Sequence, residues 1–251
     1  MSDGAREGPP PEIDPSRIRT VPLARRANKV RAGEFAAAPG EDRSFHAFLG
    51  SLPDVLGARS FLAVVDAIAA AARDRRAVVW MLGGHVVKTG LARILIDLMR
   101  RGAVTHIATN GSTVIHDYEV ARWGGTSEDV EAGLADGTFG MADETGREMN
   151  EAIQRGAAEG CGLGESLAQA LAQAPDLANP ELSLLLAARE LRVGFTVHAA
   201  LGAEIIHQHP IANGGAIGST SMTDFRRFAA HLERLDAGVV LNVGSAVLLP
   251  E

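Results

Sequence analysis

The sequence predicts an α/β fold with a mostly parallel sheet covered by helices on both faces. Three observations carry that prediction. Two consecutive strand–glycine loop–helix units occupy residues 77–119, strand-like apolar runs return at 194–198 and 238–243, and helical periodicity fills much of the chain between. The first unit passes from a strand at 77–82 through Gly83-Gly84-His85-Val86-Val87-Lys88-Thr89-Gly90 into a helix over 91–101. The second passes from a strand at 104–108 through Thr109-Asn110-Gly111-Ser112-Thr113 into a segment carrying His116-Asp117-Tyr118-Glu119. In a parallel sheet, ligands gather where strands end and helices begin, so two such junctions in a row mark a candidate crevice. Glycines there admit close approach of a ligand to the backbone, and the unpaired amides of a helix start suit anions.

The remaining elements follow in chain order. Residues 1 to about 20 are polar and Pro-rich without apolar periodicity, which predicts a disordered tail. Residues 21–44 carry the basic cluster Arg25, Arg26, Lys29 and Arg31 and read as an arm that docks on the body or on a neighbouring subunit. A short helix is expected at 44–49. A stronger one is expected at 55–73, where Phe61, Val64, Val65, Ile68 and Ala72 recur at helical spacing. The acidic, glycine-punctuated stretch 126–146 predicts a lid or surface loops flanked by short helices. Helices are expected over 147–174, with a break around 160–164, and over 181–192. A glycine-rich loop at 213–220 precedes a helix over 223–235 that Thr223 and Asp224 cap. Residues 45–251 therefore read as one domain. Gly244-Ser245-Ala246 follows the last strand as Gly83-Gly84 follows the first, and the sequence ends at Glu251 before another helix. The expectation is that a C-terminal part of the domain is missing.

Composition narrows the function classes. With 46% apolar and only 4% aromatic residues, the core of this 251-residue chain must be aliphatic. A net charge of −7 disfavours a nucleic-acid role and suits a cationic small substrate. The single cysteine, Cys161, precludes an intrachain disulfide and fits a reducing compartment. No apolar run reaches membrane-spanning length and no signal-peptide core is evident, so the expected location is cytoplasmic, with no membrane partner.

The loops add chemistry. Residues 83–89 look superficially like a phosphate loop, but Val87 stands where the Walker pattern requires glycine before the lysine, which argues against nucleotide hydrolysis. Anion or dinucleotide binding by a helix start at 88–91 remains open, beside a plain strand-to-helix turn. His85, His116, His198, His207 and His209 all fall at or just beyond strand ends. His207-Gln208-His209 resembles a metal pair that His116 and Asp117 could complete. The H-x-H pattern is common, however, and no acid has diagnostic spacing from it. Histidines bonded to substrate or cofactor, or capping helices, are the preferred reading, with His85, His116 or His198 as acid or base. The acidic run Glu128, Asp129, Glu131, Asp136, Asp143 and Glu144 could attract a polyamine.

Taken in order, these loops resemble the deoxyhypusine synthase family. Lys88-Thr89-Gly90 is similar to that family's first Ser/Thr–Gly helix start, and Thr109-Asn110-Gly111-Ser112 to its Thr-Ala-Gly-Gly loop. Ala199-Ala200-Leu201-Gly202-Ala203-Glu204 resembles its Ala-Leu-Thr-Asp-Gly loop, and Asn242-Val243-Gly244-Ser245-Ala246-Val247 its final Gly-Gly-Gly-Val. The likeness spans most of residues 55–251 and rests on order and spacing.

The resemblance implies a Rossmann-like sheet binding NAD, with active sites shared between subunits of a homo-oligomer. It implies oxidation of spermidine and transfer of its 4-aminobutyl group to a lysine through an enzyme–lysine imine. Cofactor contacts would fall on Lys88, Thr89, Gly90, Thr109, Asn110, Gly111, Ser112, Gly244 and Ser245, with Glu204 the acid nearest the third loop. Catalytic duties would fall among His85, His116, Asp117 and His198. Two departures stand out. The family's acidic pair after the second loop is here His116-Asp117, and its imine-forming lysine lies C-terminal to the last loop, past Glu251. The leading expectation is an NAD-dependent aminobutyl transferase acting on spermidine or a related amine, with a lysine or amine acceptor. The alternatives are a metal-dependent hydrolase built on His116, Asp117, His207 and His209, and a catalytically silent nucleotide-binding relative.

Overall fold

A computed structural model describes residues 12–245. Most of the expected disordered tail, and Ala246 and Val247 of the last glycine loop, lie outside that range. The chain divides into two units, Met1–Ala63 and Val64–Glu251.

The first unit holds three single 3-10 turns, at Pro15–Arg17, Leu23–Arg25 and Ala32–Glu34, and then α1 (Phe45–Gly50). Ser44 starts α1 by accepting the Ala47 amide at 3.1 Å, the ordinary task of a serine N-cap. Helix α2 (Leu56–Arg73) begins in this unit and ends in the second.

The second unit contains β1 (Val78–Leu82), α3 (Gly84–Lys88), α4 (Ala92–Arg100), β2 (His106–Asn110) and α5 (Gly111–Trp123). There follow α6 (Val130–Asp136), α7 (Asp143–Glu159), α8 (Leu163–Gln173), α9 (Leu184–Leu191), β3 (Gly194–His198), α10 (Gly214–Leu232) and β4 (Val239–Val243). The strands form a single all-parallel sheet in the order β3-β2-β1-β4. This is an α/β architecture, consistent with a Rossmann-like arrangement, and the strand order reverses between β1 and β4. Among the described residues, no helix is long and apolar enough to cross a membrane.

Register separates the two sheet faces. Met81 lies opposite Ala108 and Asn242, and Ala108 opposite Thr196, so these share one face. Leu82, Ile107 and Val197 point the other way and are fully buried. Leu82 and Ile107 join Leu95, Ile96 and Met99 of α4 in one cluster, while Val197 joins Val114, Tyr118, Met149, Leu167 and Leu171 in another. The core is aliphatic, as composition requires, and each such Leu or Ile contributes about 1.5–3 kcal/mol of burial.

Two local expectations are corrected. The glycine loop expected at 83–90 is largely helix, because α3 begins at Gly84 as soon as β1 ends and buries Val86 and Val87; Lys88 ends that helix and Leu91 starts the next, as the N-cap of α4. Gly90 then turns the chain at φ 86°, and the Leu91 amide bonds back to the Val86 carbonyl at 3.2 Å. Likewise, residues 214–220 are the first turns of α10 and not a loop. Asn213 caps that helix by accepting the Ala216 amide at 3.0 Å, and burial of Ala216, Ile217 and Thr220 overrides the low helix propensity of three glycines.

Buried carboxylates tie these elements together. Asp117 of α5 accepts the Leu184 and Leu185 amides at 2.6 and 3.2 Å and the Ser183 hydroxyl at 2.7 Å, which closes the N-terminus of α9. Asp224 of α10 accepts the Gly164 and Val197 amides, both at 2.8 Å, and so joins the start of α8 to β3. Burial pushes both acids up to about 6, against the pull of their backbone donors. Gly162 is glycine for the same reason: a Cβ there would lie 1.8 Å from Asp224 Oδ1. We expect Asp117→Ala to strand these donors in the core and to lower the unfolding free energy by about 3 kcal/mol, read by urea denaturation.

Candidate functional site

Helix α5 presents two faces of different chemistry. Tyr118 and Asp117 point into the core, whereas Ser112, Ile115, His116 and Glu119 recur at three- and four-residue spacing and line a cavity of about 250 Å³. Lys88 from the end of α3, Glu128 from the α5–α6 connection and Glu204 from the segment after β3 complete its polar lining. A more open depression of about 440 Å³ shares Glu119, Ser127 and Glu128 as a wall and adds Trp123 and Glu144. Four carboxylates therefore face one continuous lining, against Lys88 and His116.

The side chains are held in specific ways. The α5 helix ends at Gly124, whose φ of 83° is left-handed, and the chain turns back so that Thr126 meets the helix face it has just left. The Thr126 hydroxyl forms a short hydrogen bond to Glu119 Oε2 and lies 2.7 Å from His116 Nδ1. Thr145 of α7 donates to the other Glu119 oxygen at 3.0 Å. Burial, with Lys88 and His85 adding to it, holds His116 below its ordinary pKa and so in the neutral form at pH 7.

Glu204 sits at the N-terminus of α5. Its Oε1 accepts the Gly111 amide at 2.8 Å and the Ala200 amide at 2.9 Å, and its Oε2 lies 3.3 Å from His207 Nε2. Burial pushes this carboxyl up, while the two amides and His207 pull it down. A Cβ on Gly111 would come within 1.9 Å of Glu204 Oε2, so that glycine serves an internal carboxylate. Asn110 completes the cap, accepting the Thr113 amide at 3.3 Å and the Ser112 hydroxyl at 2.8 Å.

The predicted residues thus separate into two groups. Lys88, Ser112, His116 and Glu204 line the cavity, whereas Asn110 and Gly111 form the N-terminus of α5 and are not part of its lining. His85 is exposed on α3. Thr89 and Gly90 belong to the turn after α3, where the Thr89 hydroxyl donates to the His85 carbonyl at 2.6 Å. Thr109 is buried and donates to the Leu82 carbonyl at 2.9 Å. Asp117 is committed to capping α9, which removes it from the catalytic set. Gly244 and Ser245 form a turn closed by the Ser245 amide donating to Asn242 Oδ1 at 2.9 Å. Sequence reasoning missed Glu119 and Thr126 as site residues. The 112-116-119 spacing could have found the first; only the return of the chain after Gly124 reveals the second.

His198 lies elsewhere, on the sheet face it shares with His106. Thr196 Oγ1 bridges the two, 3.0 Å from His106 Nε2 and 3.2 Å from His198 Nε2, and the His231 ring of α10 centres 4.5 Å from that of His106. Burial, reinforced by the neighbouring histidines, pushes His106 down to about 3, and burial alone takes His198 down to about 4. The proposed metal pair also diverges. His207 Nδ1 accepts the Gly202 amide at 3.2 Å, whereas His209 Nε2 lies 3.5 Å from Asp143 Oδ1. Among the described residues, no group of three or more His, Cys, Asp or Glu side chains is placed to hold a metal ion.

The glycine junctions do not fit a dinucleotide pyrophosphate. The Glu204 carboxyl already occupies the amide end of α5 at Gly111, and a Cβ on Gly83 would lie 2.0 Å from the Gly244 carbonyl oxygen, so both glycines meet the chain's own atoms. No family model matches the chain, and no curated protein matches it either.

Two outcomes follow. Gly111→Ala should destabilise the protein by about 2 kcal/mol through overpacking, and in a Glu204→Ala background the same change should cost at least about 1 kcal/mol less, measured as a double-mutant cycle. A histidine held neutral in the fold but protonated when unfolded contributes stability that is complete above about pH 6.5 and is lost as pH falls toward its folded pKa. Between pH 7 and 4, the unfolding free energy should therefore fall more steeply in the wild type than in His106→Gln.

Proposed function

We propose that the acidic crevice binds a short aliphatic polyamine such as spermidine, and that the chain is a deoxyhypusine synthase-like protein moving a 4-aminobutyl group to a lysine or amine acceptor. The supporting observation is the carboxylate lining, in which Glu119, Glu128, Glu144 and Glu204 face a cavity and an adjoining depression with one wall in common. Carboxylates spread along connected space suit a linear molecule with several ammonium groups, each forming charge-assisted hydrogen bonds. His116, neutral at pH 7, is the lining group suited to take a proton from a bound ammonium.

In the transferase that the resemblance points to, NAD would supply the oxidation that frees the aminobutyl group. The described residues do not cradle its pyrophosphate, so the reading rests on amine recognition. A second reading, a catalytically silent relative that binds the amine alone, is favoured by that misfit.

Calorimetric titration separates these. Spermidine should bind with measurable heat that shrinks as salt rises, and Glu128→Gln combined with Glu144→Gln should weaken it about tenfold, a loss of about 1.4 kcal/mol. No heat from spermidine at millimolar concentration would count against amine recognition. Heat from NAD together with turnover of spermidine would favour the transferase; spermidine heat without either would favour the silent relative.

A further inference from the structure

The cavity contains a hydrogen-bonded chain whose proton positions can be worked out. Thr126 has one hydroxyl hydrogen and two close neighbours, Glu119 Oε2 and His116 Nδ1. A carboxylate oxygen only accepts, so the Thr126 hydrogen goes to Glu119. The Thr126 oxygen is then left as an acceptor, and at 2.7 Å its partner must be a protonated Nδ1. Glu119 is unable to turn away, because Thr145 holds its second oxygen at 3.0 Å. His116 is thereby held as the Nδ1–H tautomer. Its Nε2 carries the lone pair and has no hydrogen-bond partner among the described residues, on a side chain that lines the cavity.

We infer that Thr126 and Glu119 are positioning residues that fix His116 as a base with its free lone pair at Nε2, directed at an amine substrate. This deepens the amine reading, on which the substrate class rests. The step balances as a single proton transfer: the N–H bond of a bound ammonium breaks, its electron pair stays on the amine nitrogen, and the proton forms a bond to Nε2. The resulting imidazolium keeps its Nδ1–H on Thr126, and the Glu119 charge behind that hydroxyl stabilises it. Lys88 and His85 on α3 oppose the imidazolium, while Glu119 on α5 favours it through Thr126. The arrangement parallels the use of a carboxylate to orient a catalytic histidine, with a threonine hydroxyl inserted between them.

The tautomer is directly measurable on the free protein by nitrogen NMR of histidine-labelled samples at pH 7.5, with His116→Gln assigning the signal. The wild type should show His116 protonated at Nδ1 and lone-pair-bearing at Nε2. Thr126→Val, close in shape but without a hydroxyl, should shift His116 predominantly to the Nε2–H form and lower its titration midpoint. Thr126→Ser should restore the wild-type pattern. A wild-type His116 protonated at Nε2, or a Thr126→Val protein that keeps the Nδ1–H form, would overturn the inference. Because no ligand is present, failure of this test leaves the spermidine titration standing, and failure of that titration leaves the tautomer result intact.

Discussion

The fold depends on carboxylates buried at the N-termini of helices. Asp117 closes α9, Asp224 closes α8 and Glu204 closes α5, each from an element far away in sequence. Unpaired amides at a helix start carry partial positive charge, and a buried carboxylate needs hydrogen bonds to offset its lost hydration. Each requirement answers the other. Replacing either partner leaves the other unsatisfied in a low-dielectric interior, which is why these contacts fix relative helix positions more sharply than the interchangeable aliphatic packing around them.

That framework gives α5 its central place. One side of the helix holds Asp117 and Tyr118 in the core, and the opposite side delivers Ser112, His116 and Glu119 to the cavity. Glu204 arrives at the start of the same helix, and by accepting the Gly111 amide it changes what the junction can bind. A strand–glycine–helix junction with free amides attracts phosphate, but one already holding a carboxylate does not. The polyamine reading proposed for this site rests on the acidic lining of the same crevice.

The outer edge of the sheet shows a related economy. Among the described residues, β3 has no neighbouring strand beyond it, yet its Val197 amide is taken by Asp224 and the Ala199 amide just past it by Ser221 of α10 at 2.9 Å. These bonds close an edge that would otherwise offer itself to another chain. On the face beneath, His106, His198 and His231 are kept neutral by burial among themselves, with Thr196 as the bridge. This cluster stands apart from the cavity, and it explains why a histidine at a strand end is a poor guide to catalysis: strand ends place histidines on either face, and only one face borders the crevice.

The sequence by itself determined the strands, most of the helices and the α/β class, because apolar runs and helical periodicity are local properties read within a few residues. It also located the stretch around 109–119 as the centre of interest. Where it failed locally, at 84–88 and 214–220, glycines suggested loops, and burial of Val86, Val87, Ala216 and Ile217 overrode them. Only the tertiary structure decided which acids work in the site. Asp117 and Glu119 are two residues apart, yet two steps of about 100° place them on opposite sides of the helix. One meets the start of α9, 67 positions on; the other meets Thr126 after a turn that depends on Gly124. No pattern along the chain distinguishes those carboxylates, because their roles are set by partners that become neighbours only on folding.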